Sequence, residues 1–391
     1  MTAVASVIDA NNVLVETGKT FTPGLAPRHR VASRQRYLEE TDGRCQRQYV
    51  FFMAPAIFGV MNPPAALEGM PPREPQSADA VLMVRPAHFA FNPQTAASNS
   101  FQEATSANRQ SRVVSTVQQA ALREFDGLAD GLRRKGVVVL VVEDTATPIK
   151  PDAIFPNNWV SFHRDGRVVL YPLLARNRRP ERRDDVLLRV SGEGGFRAAQ
   201  TVDLTYREGE NKFLEGTGSV VLDRVHRVAY AGLSPRTDLD VLGEFSQRLD
   251  YELVTFDAVD AAKKPLYHTN VMLAIGSRFA VLCAESISDG RQRGAVENRL
   301  RGTGHEVLAL SLEQMSRFAG NLLELAPPAG NVIALSQNAW DSLSPAQRRL
   351  IETHGSILVA DIPTIERVGG GGVRCMLAEI HLPKRTTGVM A

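Results

Sequence analysis

The chain is poor in cysteine: Cys45, Cys283 and Cys375 are the only three in 391 residues, and they lie far apart. An odd, scattered set makes no disulfide framework and points to a reducing, cytoplasmic setting. No CxxC pair and no HExxH string occurs, so the common zinc spacings are missing. An excess of either charge is missing too. The 45 Lys and Arg against 43 Asp and Glu leave a net charge of +2, too mild to gather nucleic acid. No apolar run approaches the roughly 18 residues of a membrane span. The longest, residues 49–61, contains Pro55. The opening residues show no charged segment followed by a cleavage site, so no leader is expected. At 43% hydrophobic and 23% charged, the composition is that of a globular enzyme with one large core or two domains. The expected partner is a small molecule, with no nucleic acid, membrane or cofactor; a homo-oligomer stays open.

Two textures divide the chain. Residues 1–78 hold scattered Arg, Pro and Ala without a sustained period, and PPREPQ at 71–76 reads as a linker. They are read as an irregular N-terminal extension, and 79–391 as the catalytic domain. From Ala80 the pattern is regular. A strand at 81–84 is followed by a polar loop at 91–102, a helix at 112–135 closed by Gly136, and a strand at 137–142. Hairpins are expected at 159–171 around Asp165-Gly166, at 219–231, and at 270–284 around Gly276-Ser277. Helices near 184–189, 238–248, 291–301 and 344–354 alternate with strands at 252–256, 306–310, 331–335 and 357–360, and one more strand follows Cys375. The basic run 176–183 has no interleaved aromatics and reads as a solvated face. Strand pair, helix, strand recurs about five times with a period near 60 residues, the mark of a cyclic α/β array.

Polar strings stand just before these apolar strands: FPNNW at 155–159, FLEGTGS at 213–219 and LYHTNV at 266–271. Four glycines at 369–372 precede Val373, Arg374 and Cys375, where the backbone must bend or come close to something bound. Each has a plain reading. Cys375 serves as a small apolar residue, His268 as a core histidine, Glu215 as a brace, Asn157 and Asn158 as turn residues, and the glycines as a connector. Together they offer one thiol, one imidazole and one carboxylate, the set a cysteine nucleophile needs.

These strings, with VRPAHFAFNPQTAASNSFQ (84–102), GLSPRTD (232–238) and GGGGVRCMLAEI (369–380), resemble the guanidino-group-modifying enzymes. These are the pentein group of arginine deiminases, dimethylarginine hydrolases, amidinotransferases and succinylarginine dihydrolases; the resemblance is nearest to the citrulline-utilization hydrolase type. It covers about residues 80–382. It implies a five-bladed α/β propeller of pseudo-fivefold ββαβ units. It also implies Cys375 as nucleophile, His268 as acid and base, Glu215 as the carboxylate that orients it, and Arg236 on the substrate carboxylate. Asn99 is a weaker candidate in a loop that closes over the site.

Two departures bear on the substrate. The EGTG string lacks the final acid of the family motif. Asn158 and Asn270 stand where arginine deiminases carry aspartates. An amide offers a donor and an acceptor without charge and suits a neutral ureido group better than a guanidinium. The expected reaction is therefore hydrolysis of citrulline to ornithine, ammonia and carbon dioxide. Its rivals are hydrolysis or transfer on a guanidino substrate, and a non-catalytic pentein-fold binding protein like the ribosome anti-association factors.

Overall fold

Apolar runs pair into five three-stranded sheets of one topology. The computed structural model describes residues 74–103 and 111–385; the expectation for residues 1–73 lies outside the described residues. In every sheet two strands are antiparallel, and a third joins the middle strand in parallel after a helical crossover. Four sheets are local in sequence. They are Val160–Phe162, Arg167–Leu170 and Gln200–Asp203; Val221–Asp223, Val228–Gly232 and Glu252–Phe256; Leu273–Ile275, Phe279–Leu282 and Glu306–Ala309; and Leu323–Leu325, Val332–Ser336 and Ser356–Ala360. The fifth joins distant parts of the chain. Ala80–Arg85 lies parallel to Val138–Glu143 and antiparallel to Ala378–Glu379. This is a mixed α/β fold, as the periodicity indicates.

Local chemistry explains most boundaries. Gly166 takes a left-handed φ of 89° in the first hairpin turn, and Asp165 accepts from the Arg167 N–H beside it. Asp238 and Asp289 cap the crossover helices Leu239–Leu249 and Gly290–Gly302. Ser344 and Gln347 form a reciprocal capping box ahead of Pro345. Two strands are not foreseen. Gln200–Asp203 is a mostly exposed edge with only Val202 buried, and Leu323–Leu325 is three residues long; neither is long or apolar enough to register as a period. Among the described residues no helix is long and apolar enough to cross a membrane.

The stretch just before the first strand is not a linker. Glu74, Gln76, Ser77 and Ala78 are buried. Gln76 Nε2 donates to the Leu222 and Ile275 carbonyls at 2.9 and 3.1 Å, and Ser77 Oγ donates to Glu324 at 2.6 Å. One short segment therefore ties together three sheets that are remote in sequence. Glu74 accepts from Arg224 at 2.7 Å and from Arg227 at 3.1 Å. Burial pushes the Glu74 carboxyl up. Arg224, aided by His163, His381 and the Arg164 N–H, outweighs it and holds the group at about 2, against 4.5 in a model peptide. A carboxyl lowered on folding stabilises the fold above pH 4.5, and that contribution is lost as pH falls from about 4.5 towards 2. Glu74→Gln is expected to lower unfolding free energy in urea by about 3 kcal/mol at neutral pH, leaving Arg224 buried without its partner. The gap to wild type should narrow as pH falls from about 4.5 towards 2; a gap as wide at pH 2 as at neutral pH would show that the charge is not its source.

Candidate active site

Each of the four strings noted above becomes a tight turn at the head of a strand: Pro156–Asn158, Gly216–Ser219, Thr269–Val271 and Val373–Met376. Short turns whose side chains cannot all face outward present Asn158, Asn270 and Cys375, all at least 97% buried, to the interior. Asn99, Asn158, Arg236, His268 and Cys375 line one cavity of about 20 Å³, and Gly369, Gly370 and Gly371 form part of its wall. The glycines are there for close approach. A Cβ on Gly369 or Gly371 would meet the Phe155 ring at 2.8 or 2.9 Å, and one on Gly370, whose φ is 66°, would meet Asn99 Nδ2 at 2.6 Å.

Glu215 is completely buried and anchors the acid–base pair. Its Oε2 accepts from His268 Nε2 at 2.9 Å and from Arg236 at 3.2 Å, and its Oε1 accepts from the Leu174 N–H at 3.1 Å. Burial opposes ionisation, but Arg236, His268 and Arg178 reverse it and hold the carboxyl well below its usual range. A carboxylate can only accept, so His268 carries its proton on Nε2 and leaves Nδ1 bare. Burial lowers the imidazole to about 4, despite Glu215 pulling the other way. The Cys375 thiol is pushed up by burial, with Asn321, Arg374 and Asn270 partly offsetting it. The resting pair is neutral: thiol and imidazole.

Asn158 Oδ1 accepts from Arg178 at 2.9 Å. Because a guanidinium only donates, the amide orientation is fixed, and its Nδ2 is left buried without a partner. Asn270 Nδ2 lies 3.6 Å from Cys375 Sγ. Asn99 Nδ2 donates to the Gly370 carbonyl at 3.1 Å and so ties the 92–102 loop to the glycine wall.

Two expectations are qualified. Arg236 is not an unengaged guanidinium: three of its five N–H groups donate to Glu215, to Ser98 Oγ at 2.9 Å and to the Thr95 carbonyl at 2.8 Å. Nor is the basic run 176–183 wholly a solvated face. Arg178 is 98% buried, in bidentate contact with Glu181 at 2.9 and 2.8 Å. Burial raises the Glu181 carboxyl to about 7 even so. Asp152, which no sequence motif flagged, also lines the cavity. Its Oδ2 accepts from Asn92 and Thr95 at 2.7 and 3.1 Å, while its Oδ1 is buried without a partner. Burial pushes this carboxyl up.

Gly218 keeps the centre open. A Cβ there would lie 2.6 Å from Asn158 Nδ2 and 2.7 Å from His268 Nδ1. Gly218→Ala is expected to cut turnover on the order of 100-fold, the scale of a 1 Å misplacement, while thermal unfolding of the fold shifts little. Unchanged kcat would mean these two side chains do not meet the reacting group.

The model of the family described as N,N dimethylarginine dimethylhydrolase, eukaryotic, matches residues 85–382. A comparison with curated protein sequences gives no match. Among solved structures, the N-terminal domain of ArgZ, an arginine dihydrolase from the ornithine–ammonia cycle in Cyanobacteria, superposes with a TM-score of 0.59 at 18% identity. It covers 78% of this chain and 99% of that one. AgrE gives 0.60 at 19% identity over 79% of this chain, and a dimethylarginine dimethylaminohydrolase gives 0.52 at 13% over 78%. The chain spans about two fifths of full-length ArgZ and AgrE, 41% and 40%. At these identities the likeness is one of fold, and the relatives share the pentein fold. With the family model matching most of its length, the chain belongs to the N,N dimethylarginine dimethylhydrolase family of the guanidino-group-modifying superfamily and is a hydrolase of guanidino or amidino C–N bonds.

Proposed function

We propose that the protein is a cofactor-free cysteine hydrolase that converts an arginine-type guanidino substrate to ornithine, two molecules of ammonia and carbon dioxide, and that it accepts citrulline at the midpoint. The observation that carries the second half is Asn158. Arg178 already donates to its oxygen, and its Nδ2 is buried without a partner, so the group the amide has left to offer the cavity is a donor. A guanidinium has no acceptor to offer it, whereas a ureido oxygen does. The first half is supported by family membership and by Asp152, whose unpaired buried oxygen suits a cation. ArgZ is an arginine dihydrolase, and its N-terminal domain has been solved with a cysteine-to-serine change and bound substrate.

In this reading His268 Nδ1 takes the Cys375 proton and the thiolate attacks the central carbon of the guanidino group. The imidazolium returns that proton to the departing nitrogen, and ammonia leaves an S-amidino intermediate. His268 then deprotonates water, which attacks the same carbon. The C–S bond breaks, sulfur regains its proton, and a ureido group is left. A second round on that group releases ammonia through an S-carbamoyl intermediate. Hydrolysis of that intermediate gives a carbamate, which falls apart to amine and carbon dioxide. Glu215 holds His268 in the tautomer both rounds need, and Arg236 braces Glu215 and the Thr95–Ser98 turn. Asn99 and the 92–102 loop close the cavity and open to admit substrate. The five sheets stand as blades around this centre, and residues 79–391 form the catalytic domain.

The test is ammonia and ornithine release from arginine and from citrulline, with Cys375→Ser as control. Two ammonia per ornithine from arginine and one from citrulline, both lost in the variant, are expected. Accumulation of citrulline from arginine would overturn the second half; activity on citrulline alone would overturn the first and restore the neutral-substrate reading. The pH profile gives an independent check. A base lowered to about 4 stays unprotonated above that pH, so the acid limb of kcat/KM should fall through about 4 rather than near 6.5. A limb near 6.5 would remove His268 as the buried base.

A further inference from the structure

The turns that head the sheets are equivalent positions in a repeated unit. Two of them bring Asn158 and Cys375 to the cavity, and a third places Asn270 Nδ2 3.6 Å from the Cys375 sulfur. The loop ahead of the Leu323–Leu325 strand is the corresponding place in the remaining sheet, and it carries Asn321, which is 99% buried. Two glycines allow the approach. A Cβ on Gly320 would lie 2.3 Å from the Val271 carbonyl, and one on Gly372 would lie 2.7 Å from Asn321 Oδ1. Asn321 Nδ2 thereby reaches the Asn270 carbonyl at 2.8 Å and Cys375 Sγ at 3.3 Å.

The orientation of this amide is not open to exchange of its two ends. Oδ1 accepts from the Arg374 N–H at 3.0 Å, and Nδ2 faces the Asn270 carbonyl, which can only accept. One amide hydrogen goes to that carbonyl, and the other is left for sulfur. Asn270 has no such constraint, and its Nδ2 is farther from sulfur, at 3.6 Å.

We propose that Asn321 is a catalytic residue that donates a hydrogen bond to the Cys375 sulfur and stabilises the thiolate. This rests on the reading of Cys375 as nucleophile. A donor held against sulfur gains strength as charge develops there, because hydrogen bonds to ionised groups are roughly twice as strong as neutral ones. In a buried site, where the thiol is pushed up by desolvation, such a donor acts at the atom that must ionise. Arg374 acts on the sulfur only through its charge: its guanidinium donates to the Leu377 carbonyl and Glu379, both at 2.9 Å.

The test is the pH dependence of Cys375 alkylation by iodoacetamide in the full chain. Peptide masses separate Cys375 from Cys45 and Cys283. Asn321→Ala is expected to raise the alkylation midpoint by about one unit and to slow alkylation at neutral pH about ten-fold. Asn321→Asp keeps the shape and the acceptor for the Arg374 N–H but replaces the donor with a like charge, so its midpoint should lie higher still. Midpoints equal to wild type would overturn the proposal. An Asp variant nearer to wild type than the Ala variant would also overturn it, since Asn321 would then be only a brace for Arg374. The two readings fail separately: alkylated protein that still releases ammonia overturns Cys375 as nucleophile, whereas unmoved midpoints with alkylation-sensitive activity overturn Asn321.

Discussion

The buried Glu215 carboxylate is the constraint on which the rest of the site depends. A lone carboxylate at this depth would take up a proton. Arg236 at 3.2 Å and His268 at 2.9 Å keep it ionised, with Arg178 3.8 Å away. Each partner is then committed. His268 loses its freedom of tautomer, Arg236 is drawn onto the Thr95–Ser98 turn, and Arg178 is left to pin Asn158. Donor and acceptor directions around the cavity thus follow from one charge and the valence of its neighbours.

Count the ionisable groups around this centre. Asp152, Glu181 and Glu215 are three carboxyls, and Arg178 and Arg236 are two guanidiniums. Full ionisation leaves one negative charge in excess. The surplus falls where burial has raised the acid, at Glu181, held at about 7, or at Asp152. Such a set is completed by a cation. Buried ion pairs are weak evidence for stability in general, and this one is better understood as holding a vacancy for positive charge than as a brace.

What was legible in the sequence is what local chemistry writes down. Asp238, Asp289 and Ser344 announce their helices, and polar strings before apolar strands mark the turns that carry Asn158, His268, Asn270 and Cys375. What was hidden depends on partners remote in sequence. Glu74 and Gln76 look like linker residues until Arg224 and Leu222, about 150 positions away, supply their bonds. Arg178 is one arginine in a basic run, and only the fold distinguishes it from Arg183, which pairs with half-exposed Asp185. Asp152 has no motif because its role comes from an oxygen left without a partner. Asn321 follows a glycine ahead of a three-residue strand, a repeat of the Asn270 arrangement too short to show as a period.

The cavity is about as large as one water molecule, so charge inside it is poorly screened. In the proposed reaction this matters most at the midpoint. The guanidinium arrives positive and balances Asp152; after the first ammonia leaves, the ureido group is neutral and the balance is gone. A carboxyl that burial already favours in its protonated form can then take up a proton, leaving no uncompensated charge beside the intermediate. Asn158 and Asn270 need no such adjustment, because amides are neutral throughout. An aspartate at either position would add a second carboxylate to discharge at the same moment. A site that must hold first a cation and then its neutral product is therefore better built from one adjustable acid and two amides than from three fixed charges.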